Sequence, residues 1–239
     1  MLSALVAGLA DLVLPAGCAG CRASGGTPMR YGVCDRCVAV VAGLRPHPTR
    51  PDPAPPGLPV CAALGAYDGV LRELVLAYKD RGRHRLARPL GRLLAEVVAS
   101  LVAGPVLLVP VPDVPAAARA RHGDHLLRLA RPAAARLRAA GRPVTLARPL
   151  RARPRPDSTG LAAAQRLAQA RDAFRPRPLR LAGLRQRVAR TGEPVILLDD
   201  VITTGATLAA ATARLAEAGV PVAGAAVLAA TRRTCSPAR

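Results

Sequence analysis

Hydrophobic positions along the 239-residue chain change period several times, and the changes outline its elements. Leu2, Leu5, Val6, Leu9, Leu12 and Val13 recur at three and four, the spacing of one apolar helix face. Residues 60–67 have strand character and 70–78 helix character, while 86–102 repeat apolar residues as an amphipathic helix does. Residues 106–111 form a short apolar run closed by prolines, the pattern of a buried parallel strand. The stretch 116–140 predicts one long, arginine-laced helix, and 144–146 a further strand. In the last third, an apolar run at 195–198 leads to an acidic turn. A helix over 208–218, its stop at Gly219 and a strand over 220–228 follow.

That final strand-helix-strand unit implies a parallel sheet. The predicted fold is α/β, a parallel twisted sheet flanked by helices, with a small N-terminal module. The length suits it, since one α/β core takes roughly 150 to 200 residues and leaves some over. Seven prolines between positions 44 and 59 mark an extended linker. The expected organisation is therefore 1–43, an apolar helix with the small module; 44–59, the linker; and 60–239, the main domain. Between 142 and 190, 13 arginines face only Asp157 and Asp172 and are interrupted by prolines, which predicts an exposed excursion with one helix over 161–171.

Charge changes the picture of partners. The 35 Lys and Arg against 15 Asp and Glu give +20, and Lys79 is the one lysine. Such a field meets anions, nucleic acid included, although the abundance of alanine, proline and arginine is also what a codon bias produces. With one phenylalanine and no tryptophan, a base-stacking platform for single strands is disfavoured, while nonspecific phosphate contact is not. The apolar N-terminus lacks a basic start and carries Asp11, so neither a signal peptide nor a membrane span is expected. The expectation is a cytoplasmic protein with reduced cysteines.

Cys18, Cys21, Cys34 and Cys37 form two C-x2-C pairs separated by 12 residues. Two chelating turns so close together let four thiolates converge tetrahedrally on a structural Zn2+, leaving no open coordination position for catalysis. A redox or disulfide role fits less well, because neither pair sits in a strand-to-helix setting. Cys61 is expected in a buried strand and Cys235 on a loose tail.

The segment 195–208 reads Val-Ile-Leu-Leu-Asp-Asp-Val-Ile-Thr-Thr-Gly-Ala-Thr-Leu. It places Asp199 and Asp200 at the carboxyl end of a buried strand, where open α/β sheets bind ligands. Gly205 allows a tight turn, and backbone amides at a helix start can cradle a phosphate. Thr203, Thr204 and Thr207 offer hydroxyls, with Ala206 between them. The two carboxylates repel an anion, so they suit a ribose diol with a nearby Mg2+. Ordinary aspartate caps before a helix, or a Walker B strand, are the competing readings, and no G-x-x-x-x-G-K-[ST] loop supports the second.

This block resembles the PRPP-binding motif of the type I phosphoribosyltransferases: hydrophobics, two acids, two spacers, then Thr-Thr-Gly-x-Thr. The order of the cysteine pairs, Tyr67-x-Gly69-x-Leu71-Arg72 to Lys79, Val109-Pro-Val-Pro112 and Arg121-His122-Gly123 resembles the ComF family over nearly the whole chain. The resemblance implies that Asp199 and Asp200 hold ribose hydroxyls and that 203–207 hold the 5-phosphate. It implies Mg2+-bound PRPP as ligand and transfer of the phosphoribosyl group with loss of pyrophosphate. It also assigns Val111, Pro112 and Asp113 to a loop facing the pyrophosphate, and Arg119, Arg121 and His122 to a closing segment. Family members often show Arg-Gly-aromatic-Asn where this chain has Arg121-His122-Gly123-Asp124-His125. The family is associated with competence for DNA uptake, so the rival expectation is a non-catalytic protein using a PRPP-type site as sensor or scaffold while handling nucleic acid.

Overall fold

Secondary structure in the computed structural model follows the apolar periodicity closely where residues are described, namely 17–23, 29–120, 123–153 and 173–231. The expected stripe over 2–13, the helix over 161–171, Arg121, His122 and Cys235 lie outside the described residues. The chain forms two compact units, the described residues up to Leu44 with Asp68–Leu86, and Arg45–Tyr67 with the described residues from Ala87 on.

In the smaller unit, β1 (Met29–Arg30) and β2 (Val33–Cys34) pair antiparallel and lead into α1 (Asp35–Ala42). Tyr31 and Gly32, both at positive φ, make the tight turn between the strands. A further helix, α2 (Gly69–Lys79), buries Leu71, Leu74, Val75, Ala77 and Tyr78. Glu73 on this helix accepts from Arg22 Nη2 at 3.0 Å and from Arg81 Nη1 at 2.9 Å. Those hydrogen bonds hold its carboxyl below the usual carboxylate range, against a smaller opposing effect of burial.

The larger unit is built on a six-stranded sheet. In chain order its elements are β3 (His47–Thr49), β4 (Cys61–Ala66), α3 (Ala87–Leu101), β5 (Val106–Pro110), α4 (Pro115–Ala120), α5 (His125–Ala139) and β6 (Val144–Leu146). There follow β7 (Leu150–Ala152), β8 (Phe174–Pro176), α6 (Pro178–Thr191), β9 (Val195–Ile202), α7 (Ala206–Ala216) and β10 (Gly224–Ala230). The strand order is β3-β4-β10-β9-β5-β6, parallel throughout except for β3. The four central strands are almost continuously apolar and buried, as a sheet covered on both faces requires. α3 and α5 pack together at Gly91, where a Cβ would come within 2.5 Å of Pro132 Cγ and 2.6 Å of Leu129 O. Only glycine lets those two backbones approach so closely.

Four features depart from the sequence reading. The proline-rich stretch 44–59 contributes β3, paired antiparallel with β4; Pro48 is tolerated because an edge strand leaves one side unpaired. The single helix expected over 116–140 is two helices, because Gly123 takes φ +133° and Asp124 caps α5 by accepting from Leu127 N at 2.9 Å. β9 continues through the acidic pair to Ile202, with Asp199 opposite Val227 of β10, so the two aspartates lie in the ladder and not in a turn. The arginine-rich region carries the antiparallel pair β7 and β8 and also α6, which starts at Pro178 and ends at left-handed Gly192, with Leu181 and Leu184 buried.

Candidate active site and four-cysteine cluster

The chain reverses its direction across the larger sheet between β5 and β9: from β5 it steps outward to β6, then returns to the other side of β5. Loops leaving the carboxyl ends of strands at such a point diverge and open a crevice for a ligand. Two of the predicted segments leave from there, 111–113 after β5 and 203–205 after β9. The strands are bonded up to the point of departure, since Val111 N donates to Leu198 O at 2.9 Å.

Within the β5 loop, Val111 is a core residue whose amide is engaged by Leu198, and Pro112 has no N–H. Asp113 is the polar member, with a side chain 10% exposed. Arg119 is exposed in α4.

After β9, Thr203 and Thr204 are exposed, Ala206 and Thr207 half-buried, and Gly205 buried. Gly205 takes φ +75°, a conformation that favours glycine, and a Cβ there would also crowd Leu58 Cδ1 at 3.0 Å and Pro51 Cγ at 3.3 Å. Gly205 is the N-cap of α7 and supplies no side-chain cap, and the first turn holds no acidic residue. The positive end of that helix is thus left without a carboxylate from its own first turn. Ala206 N donates to Thr204 Oγ1 at 3.4 Å.

The adjacent aspartates part company, because successive side chains of a strand point to opposite faces. Asp199 is half-buried and its Oδ1 accepts from Asp200 N at 2.9 Å. Asp200 is 3% exposed, and its Oδ1 accepts from Val201 N at 2.8 Å. Its Oδ2 meets His125 Nε2 at 3.0 Å. The other ring nitrogen, Nδ1, makes a short hydrogen bond to Asp113 Oδ2, which also accepts from His125 N at 3.1 Å. Carboxylates only accept, so an imidazole between two of them donates from both nitrogens and is cationic. Burial alone would lower the His125 pKa, but the Asp113 and Asp200 carboxylates outweigh it and push it up to about 9. Next to it, Asp124 pairs with Arg148 Nη2 at 2.7 Å.

His125 is the residue that sequence reading underweighted. It follows the residues assigned to the closing segment, among many basic side chains where one more does not stand out. The available signal was its position one residue after an N-capping aspartate, at the first turn of an apolar-periodic helix.

In the smaller unit, the four predicted cysteines come together, their sulfurs all within 4.8 Å of one another. Cys21 Sγ and Cys34 Sγ are 3.7 Å apart, close to the roughly 3.8 Å that a tetrahedron with Zn–S bonds of about 2.3 Å requires. Cys18 Sγ accepts from Gly20 N at 3.4 Å and Cys34 N at 3.3 Å. Burial raises the Cys18 pKa, but those amides more than reverse it and bring it down to about 6. Burial and the neighbouring sulfurs push Cys37 far up. Four thiolates cannot all ionise side by side without a cation among them, and the cluster is compatible with a structural zinc. None of the described cysteines is disulfide-bonded, and Cys61 is buried in β4. Beside Cys18 lies an open cavity of about 370 Å3 lined by Arg22, Arg81 and Arg83. No helix among the described residues is long and apolar enough to cross a membrane.

Residues 127–238 match a family model described as the phosphoribosyl transferase domain. The match spans the sheet from α5 onward and includes the whole of 195–208. Comparison with curated proteins gives no match.

Proposed function

We propose that the chain binds Mg2+-PRPP at the β5-β9 crevice and transfers its phosphoribosyl group to an acceptor, releasing pyrophosphate. The observation that carries this reading is the coincidence of the matched domain's acidic-Thr-Thr-Gly-x-Thr segment with the reversal point of a parallel sheet. The 5-phosphate sits at Thr203–Thr207, where hydroxyls and the start of α7 meet an anion. The acidic pair Asp199-Asp200 serves the ribose hydroxyls, and the β5 loop with Pro112 and Asp113 faces the pyrophosphate.

The bond from the anomeric carbon to the pyrophosphate oxygen breaks as the acceptor's nucleophilic atom bonds to that carbon. The fixed loops contribute by orientation: the sugar is held at its 5-phosphate and at its hydroxyls, so the anomeric carbon is presented toward the acceptor. Mg2+ held with PRPP supplies charge neutralisation for the departing pyrophosphate. Arg119, Arg121 and His122 belong to the segment that meets the same anion. A structural Zn2+ at Cys18, Cys21, Cys34 and Cys37 holds the smaller unit together. The order of cysteine pairs, β5 motif and PRPP motif supports membership of the ComF family, and cysteines without disulfides among the described residues suit a cytoplasmic location.

Asp199→Asn is the direct test by calorimetry. It removes the half-buried carboxylate and is expected to weaken Mg2+-PRPP binding by about a hundredfold, on the order of 3 kcal/mol, with the melting temperature retained. Unchanged affinity in a folded Asp199→Asn protein contradicts the site.

A second reading, a non-catalytic role in nucleic-acid handling, is favoured by the arginine-lined cavity beside the cysteine cluster and by the +20 charge. Strand-selective DNA binding that survives moderate salt supports it; affinity that collapses with salt marks polyelectrolyte attraction alone.

A further inference from the structure

Three residues from three different segments close one buried network at the ligand edge: Asp113 after β5, His125 at the start of α5 and Asp200 in β9. His125 is 4% exposed and has both ring nitrogens engaged. A buried cation between two carboxylates is an expensive way to stabilise a fold, since apolar packing of the same volume serves as well or better. Its distinguishing property is direction: two hydrogen bonds from opposite sides of one rigid ring fix the separation of the groups that accept them. Here one of those groups lies in the loop that leaves β5 and the other in β9, on the two sides of the crevice.

We propose that His125 is a positioning residue of this site, tying Asp200 to Asp113 so that the ribose-side and pyrophosphate-side loops keep one spacing, and leaving Asp199 as the carboxylate that meets the ribose. The proposal rests on the PRPP reading and divides the labour of its acidic pair. Asp200 has one oxygen on Val201 N and the other on His125 Nε2, and it is buried. Asp199, on the other face of the strand, accepts from its neighbour's amide and is only half-buried. Turning Asp200 toward a ligand would take one of two carboxylates away from a buried imidazolium, which costs more than a single hydroxyl contact returns.

The test uses the full-length zinc-loaded protein and Mg2+-PRPP in calorimetric titrations of wild type, His125→Gln, His125→Leu and Asp200→Asn, with thermal melting of each. Glutamine is polar and close in reach, which keeps the measurement available should the leucine variant fail to fold. His125→Gln is expected to lose about tenfold in PRPP affinity, and His125→Leu more, as loop misplacement does. Asp200→Asn, which can still accept from the ring, is expected to lose less than Asp199→Asn. A second readout is the imidazole N–H proton signals of His125, assigned by their disappearance in His125→Gln. Both persist in the PRPP complex if the bridge stays closed; loss of the Nε2–H signal on binding means that Asp200 has left for the ligand and overturns the proposal. Wild-type binding with unchanged affinity in His125→Gln overturns it too, while leaving the PRPP reading intact. No binding by folded wild type overturns both.

Discussion

The four-cysteine cluster and the sheet edge are two sites built on opposite principles. The cysteines lie within 20 residues of one another, and two tight turns suffice to bring their sulfurs together. The edge draws on Asp113, His125 and the segment 199–207, and these become neighbours only because β5 and β9 are adjacent in a sheet whose chain reverses between them. The first site is specified by spacing and, with the proposed zinc, would be completed by a cation that cancels the repulsion of its thiolates. The second is specified by topology and carries its own counter-charge, the imidazolium of His125. Removing the cation should therefore dismantle the first locally, whereas the second should yield only to changes that disturb the sheet or its buried network.

The largest expected effect follows from zinc. Chelation, or Cys34→Ser, should release one equivalent of metal and unfold the smaller unit, since a structural zinc of this type contributes on the order of 10 kcal/mol. Hydrogen exchange is the check: amides of β2 and α1 should lose protection while those of β9 and β10 keep theirs. Protected β2 amides in the metal-free protein would break the contrast.

The next effect concerns the edge. The folded His125 pKa is raised above the ordinary 6.5 to about 9, so its stabilisation is fully present below pH 6.5 and is lost as pH rises through 9. Urea unfolding of the larger unit should lose roughly 3 kcal/mol between those limits. In His125→Gln the same pH range should be nearly flat. An equal slope in both proteins would place the titration elsewhere.

The smallest effect concerns packing. Gly91→Ala puts a Cβ against Leu129 O and Pro132, neither of which is the free end of a flexible side chain. A loss of about 2 kcal/mol in the larger unit, read from urea midpoints, is expected with zinc content unchanged.

Legibility in the sequence follows the same division. The cysteine ligands, the strand at 106–110 and the segment 195–208 are contiguous patterns, and the α/β class with its parallel sheet could be read from them. What escaped reading was decided by tertiary context. Asp199 and Asp200 look like a turn because aspartate is a poor strand former, yet pairing with β10 holds the segment in the ladder and the cation at His125 meets the buried Asp200. The break between α4 and α5 hangs on the positive φ of Gly123 and the cap at Asp124, which arginine-rich periodicity conceals. The edge strand at His47–Thr49 hides among prolines because only a strand with one free side accommodates them. α6 was masked by its charge, although Pro178 and Gly192 bracket it as helix ends do.

Calorimetric titration of the folded, zinc-loaded protein with PRPP, with and without Mg2+ and with ribose 5-phosphate and pyrophosphate as controls, decides whether the β5-β9 crevice is a PRPP site. Saturable binding at one site that needs Mg2+ is expected, with PRPP tighter than either fragment because the 5-phosphate and pyrophosphate sides of the crevice act together. Absence of PRPP binding, or binding equal to that of pyrophosphate alone and abolished by salt, would contradict it.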